Sequence, residues 1–201
     1  GFVVDAGSSR AGNNGDSYVA WNWDMGGTTA SNTNGVITSS VRANPTYGQS
    51  IVSYSGASNA TTDNSNNGGS YWTIGHGLSQ APEVILVKTR SSQAAWYMGH
   101  QSLTGTPWQS GSHVVLNTTA YNANDANILW GNTAPSSTVF TVGGWNVINR
   151  ANSTYIAYCF HSVTGYSKFS SYEGTGGTHA ITLGFSPAFV MIKNADADAN
   201  W

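Results

Sequence analysis

Residues 81–88 read Ala-Pro-Glu-Val-Ile-Leu-Val-Lys, and residues 186–193 read Ser-Pro-Ala-Phe-Val-Met-Ile-Lys. In both segments a proline precedes a run of apolar residues that ends in lysine. Each run has the length of one β-strand and is too short for a typical helix, and proline is tolerated at the start of a strand. The pair therefore predicts two β-strands that belong to two copies of one repeated unit.

Three further pairs of segments extend this repeat. They are residues 50–56 with 168–174, residues 73–78 with 181–185, and residues 17–23 with 154–160. From their order we predict the C-terminal part of a preceding unit at residues 1–47, one complete unit at residues 48–163, and the N-terminal part of a following unit at residues 164–201. The chain is therefore expected to be an excerpt of a longer polypeptide.

The spacing between counterparts varies along the repeat. It is 137 residues for Tyr18 and Tyr155, 118 for Tyr54 and Tyr172, and 105 for Pro82 and Pro187. Solenoids and propellers keep a tighter and shorter period, of roughly 20–50 residues. A longer unit whose loops vary in length is instead an ordinary small domain, large enough to bury its own core.

The composition is that of a folded protein with few charges. Only 8% of the residues are charged, against roughly 25% in ordinary domains, while 39% are hydrophobic and 12% aromatic. A disordered chain would combine low hydrophobicity with high charge. The polar positions are filled by Gly, Ser, Thr and Asn, so we expect a surface that is hydrated through hydroxyl and amide groups.

The same composition excludes several classes of function. The net charge is −2 and the seven basic residues are scattered, so no basic stripe is present that could bind a nucleic-acid backbone. The apolar runs fall far short of the roughly 20 residues that span a bilayer, so we expect no membrane insertion. Cys159 is the single cysteine, which rules out an intrachain disulfide and is typical of a small core residue.

The hydrophobic pattern predicts an all-β protein with almost no helix. Short apolar or alternating runs bounded by Gly, Asn, Ser or Pro predict strands at residues 18–21, 51–54, 83–88, 113–116, 138–142, 155–160 and 188–193. Residues 155–160 are apolar throughout, which predicts a central strand covered on both faces. The pattern favours antiparallel β-sandwich units in tandem, of the jelly-roll or lectin-like type, and a closed barrel is the alternative.

The residue types that carry catalysis do not recur in a usable arrangement. Glu83 and Glu173 are replaced by Ala188 and Ser55 in the other copy, so no acid pair recurs. The five histidines lack ligand spacing, and no serine lies in a Gly-x-Ser-x-Gly elbow. The Asp-x-Asp-x-Asn run at residues 196–200 resembles the start of a calcium loop but has Trp201 where glycine is expected. We expect no enzymatic activity, no metal and no cofactor.

Tryptophan is the abundant residue type that could recognise a ligand. Trp72 and Trp108 lie in loop-like sequence, and an exposed indole face can stack on a sugar ring. We therefore name these two residues as a candidate glycan platform. The alternative is that most tryptophans, Trp21 and Trp96 among them, fill the sandwich core.

Several longer phrases together resemble a known family. They are found at residues 30–44, 75–83, 130–143, 155–160 and 165–169. In this order they are similar to a repeated domain in large virion proteins of tailed bacteriophages, many from aquatic environments. The resemblance covers essentially the whole chain.

The resemblance implies a phage structural protein of the tail-fibre or adhesin type that displays β-sandwich units in series on the particle surface. Its expected partners are other copies of itself or other virion proteins, and a host-surface glycan is a further candidate. It implies no catalytic residue. A carbohydrate-binding, lectin-like module and a capsid decoration or self-assembling appendage are the alternative functions.

Overall fold

The computed structural model of the chain describes residues 2–4, 11–60, 70–103, 108, 112–120, 123–124 and 129–199. These residues contain ten β-strands and one short 3-10 turn at Pro45–Tyr47. The strands are β1 (Ala30–Asn32), β2 (Ser39–Asn44), β3 (Gln49–Ser55), β4 (Trp72–Gly75), β5 (Val84–Thr89), β6 (Tyr97–His100), β7 (Ser112–Val115), β8 (Ala123–Asn124), β9 (Val139–Val142) and β10 (Thr154–Phe160).

The strands form two antiparallel sheets. Eight strands lie in the order β1-β2-β3-β10-β5-β6-β7-β8, and β4 pairs with β9 in a second, smaller sheet. The predicted all-β, antiparallel fold with almost no helix is confirmed. Because β1 and β2 lie within residues 1–47 and pair onward to β3, the first part of the chain contributes to the same sheet as the predicted complete unit. The division into tandem repeats stays a prediction.

Strand β10 lies at the centre of the large sheet, as its apolar sequence predicts. It pairs with β3 on one side and β5 on the other. Tyr155, Ala157 and Cys159 are fully buried on one face, whereas the alternate residues Ile156 and Tyr158 are half-buried on the other. A strand that is apolar on both faces fits this position because both faces of the sheet carry packed side chains.

The inner core lies between the two sheets. Trp72 and Phe140 of the small sheet belong to the same buried cluster as Tyr54 and Tyr155 of the large one. Tyr54 and Tyr155 are directly opposite each other on β3 and β10, and their rings stack with centroids 5.2 Å apart. The Tyr54 hydroxyl donates to the Ile148 carbonyl at 2.7 Å, so its polar end is satisfied inside the core.

A second apolar cluster covers the opposite face of the large sheet. Its buried members are Val84, Leu86, Met98, Leu103 and Val114. Two residues from the last part of the chain, Phe169 and Ala195, pack against this cluster. The Gln101 side chain donates to the Phe169 carbonyl at 3.1 Å and holds that segment against the sheet.

The prediction of strands at residues 18–21 and 188–193 is wrong. Both segments are described, and neither is part of a strand. A β-strand requires a neighbour for its backbone N–H and C=O groups, and neither segment has one here. The other predicted segments overlap β3, β5, β7, β9 and β10.

Candidate binding surface

Trp72 does not present the exposed face that its loop-like sequence suggested. It opens β4, is only 6% exposed, and belongs to the inner core. Its indole N–H donates to the Asn59 side chain at 3.1 Å. The expectation of exposure is wrong because residues 72–75 form a strand that faces the large sheet.

Trp108 is buried as well, with 4% of its surface exposed. It packs edge-on against Trp130, with ring centroids 5.3 Å apart. Both rings lie over Gly99 of β6, where a Cβ atom would clash with them. The missing side chain of Gly99 therefore creates the space for two indoles. The glycan-binding role of Trp72 and Trp108 stays a prediction that burial disfavours.

Two exposed tryptophans lie elsewhere, at residues 21 and 23. Trp21 is 65% exposed, so the expectation that it fills the core is wrong. Trp23 is half exposed, and its ring lies 6.4 Å from that of Phe160 at the end of β10. The ring of Trp21 lies 5.6 Å from that of Phe189 in the last part of the chain.

Two shallow grooves flank these indoles. One, of about 290 Å³, lies between residues 21–25 and the outer face of β3 and β10, where Ile51, Tyr158 and Phe160 line it. The other, of about 400 Å³, lies between residues 20–23 and Phe189. We call this combined surface the aromatic groove. It is apolar and open, and its residues offer shape and stacking rather than acid–base chemistry.

The backbone that follows Trp23 is fixed to the large sheet by three side chains. Asn44 and Gln49 donate to the Asp24 carbonyl at 3.1 and 2.7 Å, and Arg42 donates to the Gly26 carbonyl at 2.9 Å. Met25, between them, is buried. Residues 24–26 are therefore fixed to the large sheet, and the exposed residues of the groove directly precede them in the chain.

His76 and His100 make structural hydrogen bonds. The Nδ1 atom of His76 accepts from the Leu78 backbone at 3.1 Å, and its Nε2 atom lies 3.1 Å from the Ser136 carbonyl, to which it donates. Burial lowers the pKa of His76. His100 accepts from the Ser102 backbone at 3.0 Å, and its pKa is lowered by burial and raised in part by the nearby Glu83. Both rings are therefore neutral near pH 7. Their hydrogen bonds stabilise the backbone at Leu78 and Ser136 and at Ser102.

Glu83 and Cys159 also have structural roles in the fold. The Glu83 carboxylate accepts from the Ser162 backbone at 2.9 Å and from its hydroxyl, which joins the start of β5 to the end of β10. Burial raises the pKa of the Cys159 thiol to about 12, so no thiolate forms at physiological pH. Among the described residues, no group of three or more His, Cys, Asp or Glu side chains could hold a metal ion. The described residues contain no helix that is long and apolar enough to cross a membrane.

Comparison with known proteins gives one match. The model of a family described as a domain of unknown function, DUF7483, matches residues 1–201. The chain belongs to this family. No curated protein and no solved structure matches it.

The sequence pattern missed the aromatic groove for an identifiable reason. Residues 17–23 correspond to β10, whose side chains are covered from both sides, so burial was the natural expectation for Trp21. Nothing in residues 17–23 themselves distinguishes them from β10, because burial depends on which segments lie beside a strand in the fold and not on its own sequence.

Proposed function

We propose that this chain is a structural segment of a tailed-bacteriophage virion, of the tail-fibre or adhesin type. It would lie on the outside of the particle, extend the fibre towards the host cell and help to attach the particle to the host surface. Its partners would be other copies of itself, other virion proteins or a host-surface glycan. The resemblance of its repeated phrases to large virion proteins supports this function.

The observation that carries the proposal furthest is the contrast between polar groups that are used inside the fold and an apolar, open surface. The polar groups of Tyr54, His76 and His100 make hydrogen bonds within the fold. The aromatic groove instead leaves large apolar side chains in solvent, and such patches are typical of interaction sites. Exposed apolar side chains of this kind suit a protein that binds other molecules and does not need to catalyse a reaction.

Localisation on the particle tests the proposal. Purified virions that encode the chain would be labelled with an antibody raised against the folded domain and viewed by electron microscopy. We expect label on tail fibres. Label on the capsid would favour the decoration alternative, and the absence of the chain from purified particles by mass spectrometry would contradict a virion role.

Carbohydrate binding is the second candidate function, and the exposed indoles of Trp21 and Trp23 favour it at the aromatic groove. A glycan that stacks on them should bind more weakly to Trp21→Ala and Trp23→Ala than to the unaltered chain. Tyr47→Ala is the matched control, since Tyr47 is an exposed aromatic outside the groove. An array of bacterial surface glycans on which the unaltered chain binds nothing would exclude this function.

A further inference from the structure

Two exposed tyrosines lie against each other at one end of the large sheet. The rings of Tyr47 and Tyr166 have centroids 4.7 Å apart and planes that differ by 33°. The two side chains are 41% and 46% exposed. Tyr47 ends the 3-10 turn that joins β2 to β3, and Tyr166 lies in the turn that follows β10. We call these two residues the tyrosine pair.

The backbone beside Tyr47 is held close to the end of β10. Gly48 directly follows Tyr47 with a φ of 64°, and its N–H donates to the Pro45 carbonyl at 3.3 Å. The Gly48 carbonyl accepts from the His161 N–H at 2.8 Å. A Cβ atom on Gly48 would overlap the His161 carbonyl, so a glycine is required for this close approach. The backbone at Tyr47 is therefore fixed relative to the end of β10.

The turn that carries Tyr166 is closed by its own backbone. The Val163 N–H donates to the Ser167 carbonyl at 3.1 Å, and the N–H groups of Tyr166 and Ser167 donate to the Val163 carbonyl at 2.9 and 3.0 Å. Gly165 has a φ of 76°, a conformation that glycine adopts without strain. Two hydrogen-bonded turns thus place the tyrosine pair side by side.

Phenols in contact with each other can be joined by oxidation. A one-electron oxidant takes one electron and the phenolic proton from each ring, which leaves two tyrosyl radicals. The radicals form a carbon–carbon bond between the ring carbons next to the hydroxyl groups. The hydrogens on these two carbons then move to the oxygens, which restores both aromatic rings. The net change is the loss of two hydrogen atoms, and hydrogen peroxide accepts them to form two water molecules.

The geometry of the tyrosine pair suits this bond. In the coupled product the ring centroids are separated by two ring radii and one bond length, which is only slightly shorter than the 4.7 Å found here. Because both side chains are partly in solvent, an oxidant can reach them and the rings have room to turn edge to edge. Two radicals formed side by side couple within the chain faster than radicals on separate chains, since their encounter is already arranged.

A buried pair in the same chain provides the comparison. Tyr54 and Tyr155 also stack, with centroids 5.2 Å apart, but they are only 4% and 0% exposed. Their hydroxyls donate to the Ile148 and Asn146 carbonyls inside the fold. Among the described residues, these are the two places where tyrosine rings are in contact with each other. Access to the oxidant therefore distinguishes the tyrosine pair from the pair in the core.

We propose that the tyrosine pair is an oxidative cross-linking site, at which a haem peroxidase with hydrogen peroxide joins Tyr47 to Tyr166. The bond closes a loop of 119 residues that contains every strand from β3 to β10. It gives the chain a covalent closure that its single cysteine cannot provide. The inference goes beyond the proposed function, because it requires only the folded chain and an oxidant.

Peroxidase treatment of the purified chain tests the site. The chain would be treated in dilute solution with a haem peroxidase and a stoichiometric amount of hydrogen peroxide, and the monomeric fraction would be digested and analysed by mass spectrometry. We expect two peptides joined through Tyr47 and Tyr166, lighter than their sum by two hydrogen atoms and with the blue fluorescence of dityrosine. No peptide should join Tyr54 to Tyr155, because the oxidant does not reach them.

Substitution by phenylalanine keeps each ring and removes its phenol. Tyr47→Phe and Tyr166→Phe should each abolish the intrachain product. Tyr172→Phe is the matched control, because Tyr172 is 48% exposed and lies outside the pair, and it should give the yield of the unaltered chain. Unfolding in urea before oxidation should suppress the product, since the two tyrosines are then separated by a long flexible chain.

The melting temperature provides a second readout. The cross-linked monomer should melt about 5–15 °C above the untreated chain, because closing a long loop restricts the unfolded state. Tyr47→Phe treated in the same way should gain no such increase, which separates the effect of the bond from other oxidation of the chain.

Three results would overturn the proposal. One is the absence of the product that joins Tyr47 to Tyr166 under conditions in which free N-acetyltyrosine couples. Another is an equal yield from the urea-unfolded chain, which would show that the fold does not bring the pair together for reaction. The third is intrachain coupling of Tyr47 to Tyr172 as often as to Tyr166. These measurements use the purified chain, so their outcome is independent of virion labelling.

Discussion

At the scale of single residues, the interior depends on hydroxyls that reach specific carbonyl groups. The Tyr155 hydroxyl donates to the Asn146 carbonyl at 2.7 Å and accepts from the Arg150 backbone at 2.9 Å. Tyr54 makes the corresponding bond to Ile148. The stacked pair thus joins the sheet centre to the loop that precedes β10, and each ring contributes both apolar area and a hydrogen bond.

Tyr54→Phe should lower the free energy of unfolding by about 1–3 kcal/mol, because it leaves the buried Ile148 carbonyl without its donor. Tyr47→Phe is the control, since Tyr47 is exposed, and it should change stability little. Urea unfolding followed by tryptophan fluorescence measures both. Equal stability of the two variants would mean that the Tyr54 bond contributes nothing net.

The buried thiol predicts a loss of stability in alkali. Burial raises the pKa of Cys159 from 9.0 to about 12, so the folded chain keeps the thiol neutral while the unfolded chain releases its proton from about pH 9. The contribution to stability is therefore intact below pH 9 and is lost as the pH rises toward 12. Cys159→Ala should show a shallower decline across this range in unfolding titrations. The same slope in both proteins would contradict this assignment.

The buried imidazoles predict a separate loss in acid. The pKa of His76 is lowered from 6.5, so below that pH the unfolded chain binds a proton that the folded chain resists. Stability is then present above about pH 6.5 and falls as the pH decreases. His76→Asn should be less stable at pH 7 but should depend less on pH between 7 and 5. Chemical denaturation at pH 7, 6 and 5 measures both effects, and an unchanged pH dependence in His76→Asn would contradict this assignment.

At the scale of elements, strand prediction succeeded where side-chain pattern and strand pairing agree. β5 and β10 are apolar on both faces, and both lie inside the large sheet between two neighbours. Residues 188–193 carry nearly the same pattern as β5 yet form no strand, because the pattern describes the side chains and not the neighbour that the backbone requires. The short polar strands β1 and β8 and the Gly-containing β6 carried too weak a pattern to be predicted.

The placement of the tryptophans shows a second limit of the sequence. Trp108 follows no strand pattern, and its burial depends on Gly99 of β6, which supplies the space, and on Trp130, against which it packs. Trp21 has the pattern of a core residue and is exposed. In both cases burial is decided by a partner segment that local sequence does not reveal.

Gly99→Ala should lower the free energy of unfolding by about 1–3 kcal/mol, because the added Cβ overlaps Trp108 and Trp130 and forces them to move. Gly27→Ala is the matched control, since a Cβ there meets no atom within 4 Å. Chemical denaturation of both variants gives the comparison. A Gly99→Ala protein as stable as the control would contradict the close packing of the two indoles over β6.

At the scale of the whole molecule, the described chain has two antiparallel sheets, and Phe169 and Ala195 from its last part pack on the outer face of the large sheet. Few charges are present to oppose close contact between copies, and the net charge is only −2. The proposed fibre function would use a module that folds without an intrachain disulfide, as this chain does with its single, buried cysteine.

A cryo-EM map of the tail of a virion that encodes this chain tests the account most directly. The account predicts β-sandwich modules in series along an external fibre, each with the eight-stranded sheet order found here. The absence of the chain from every external structure of the particle would contradict it.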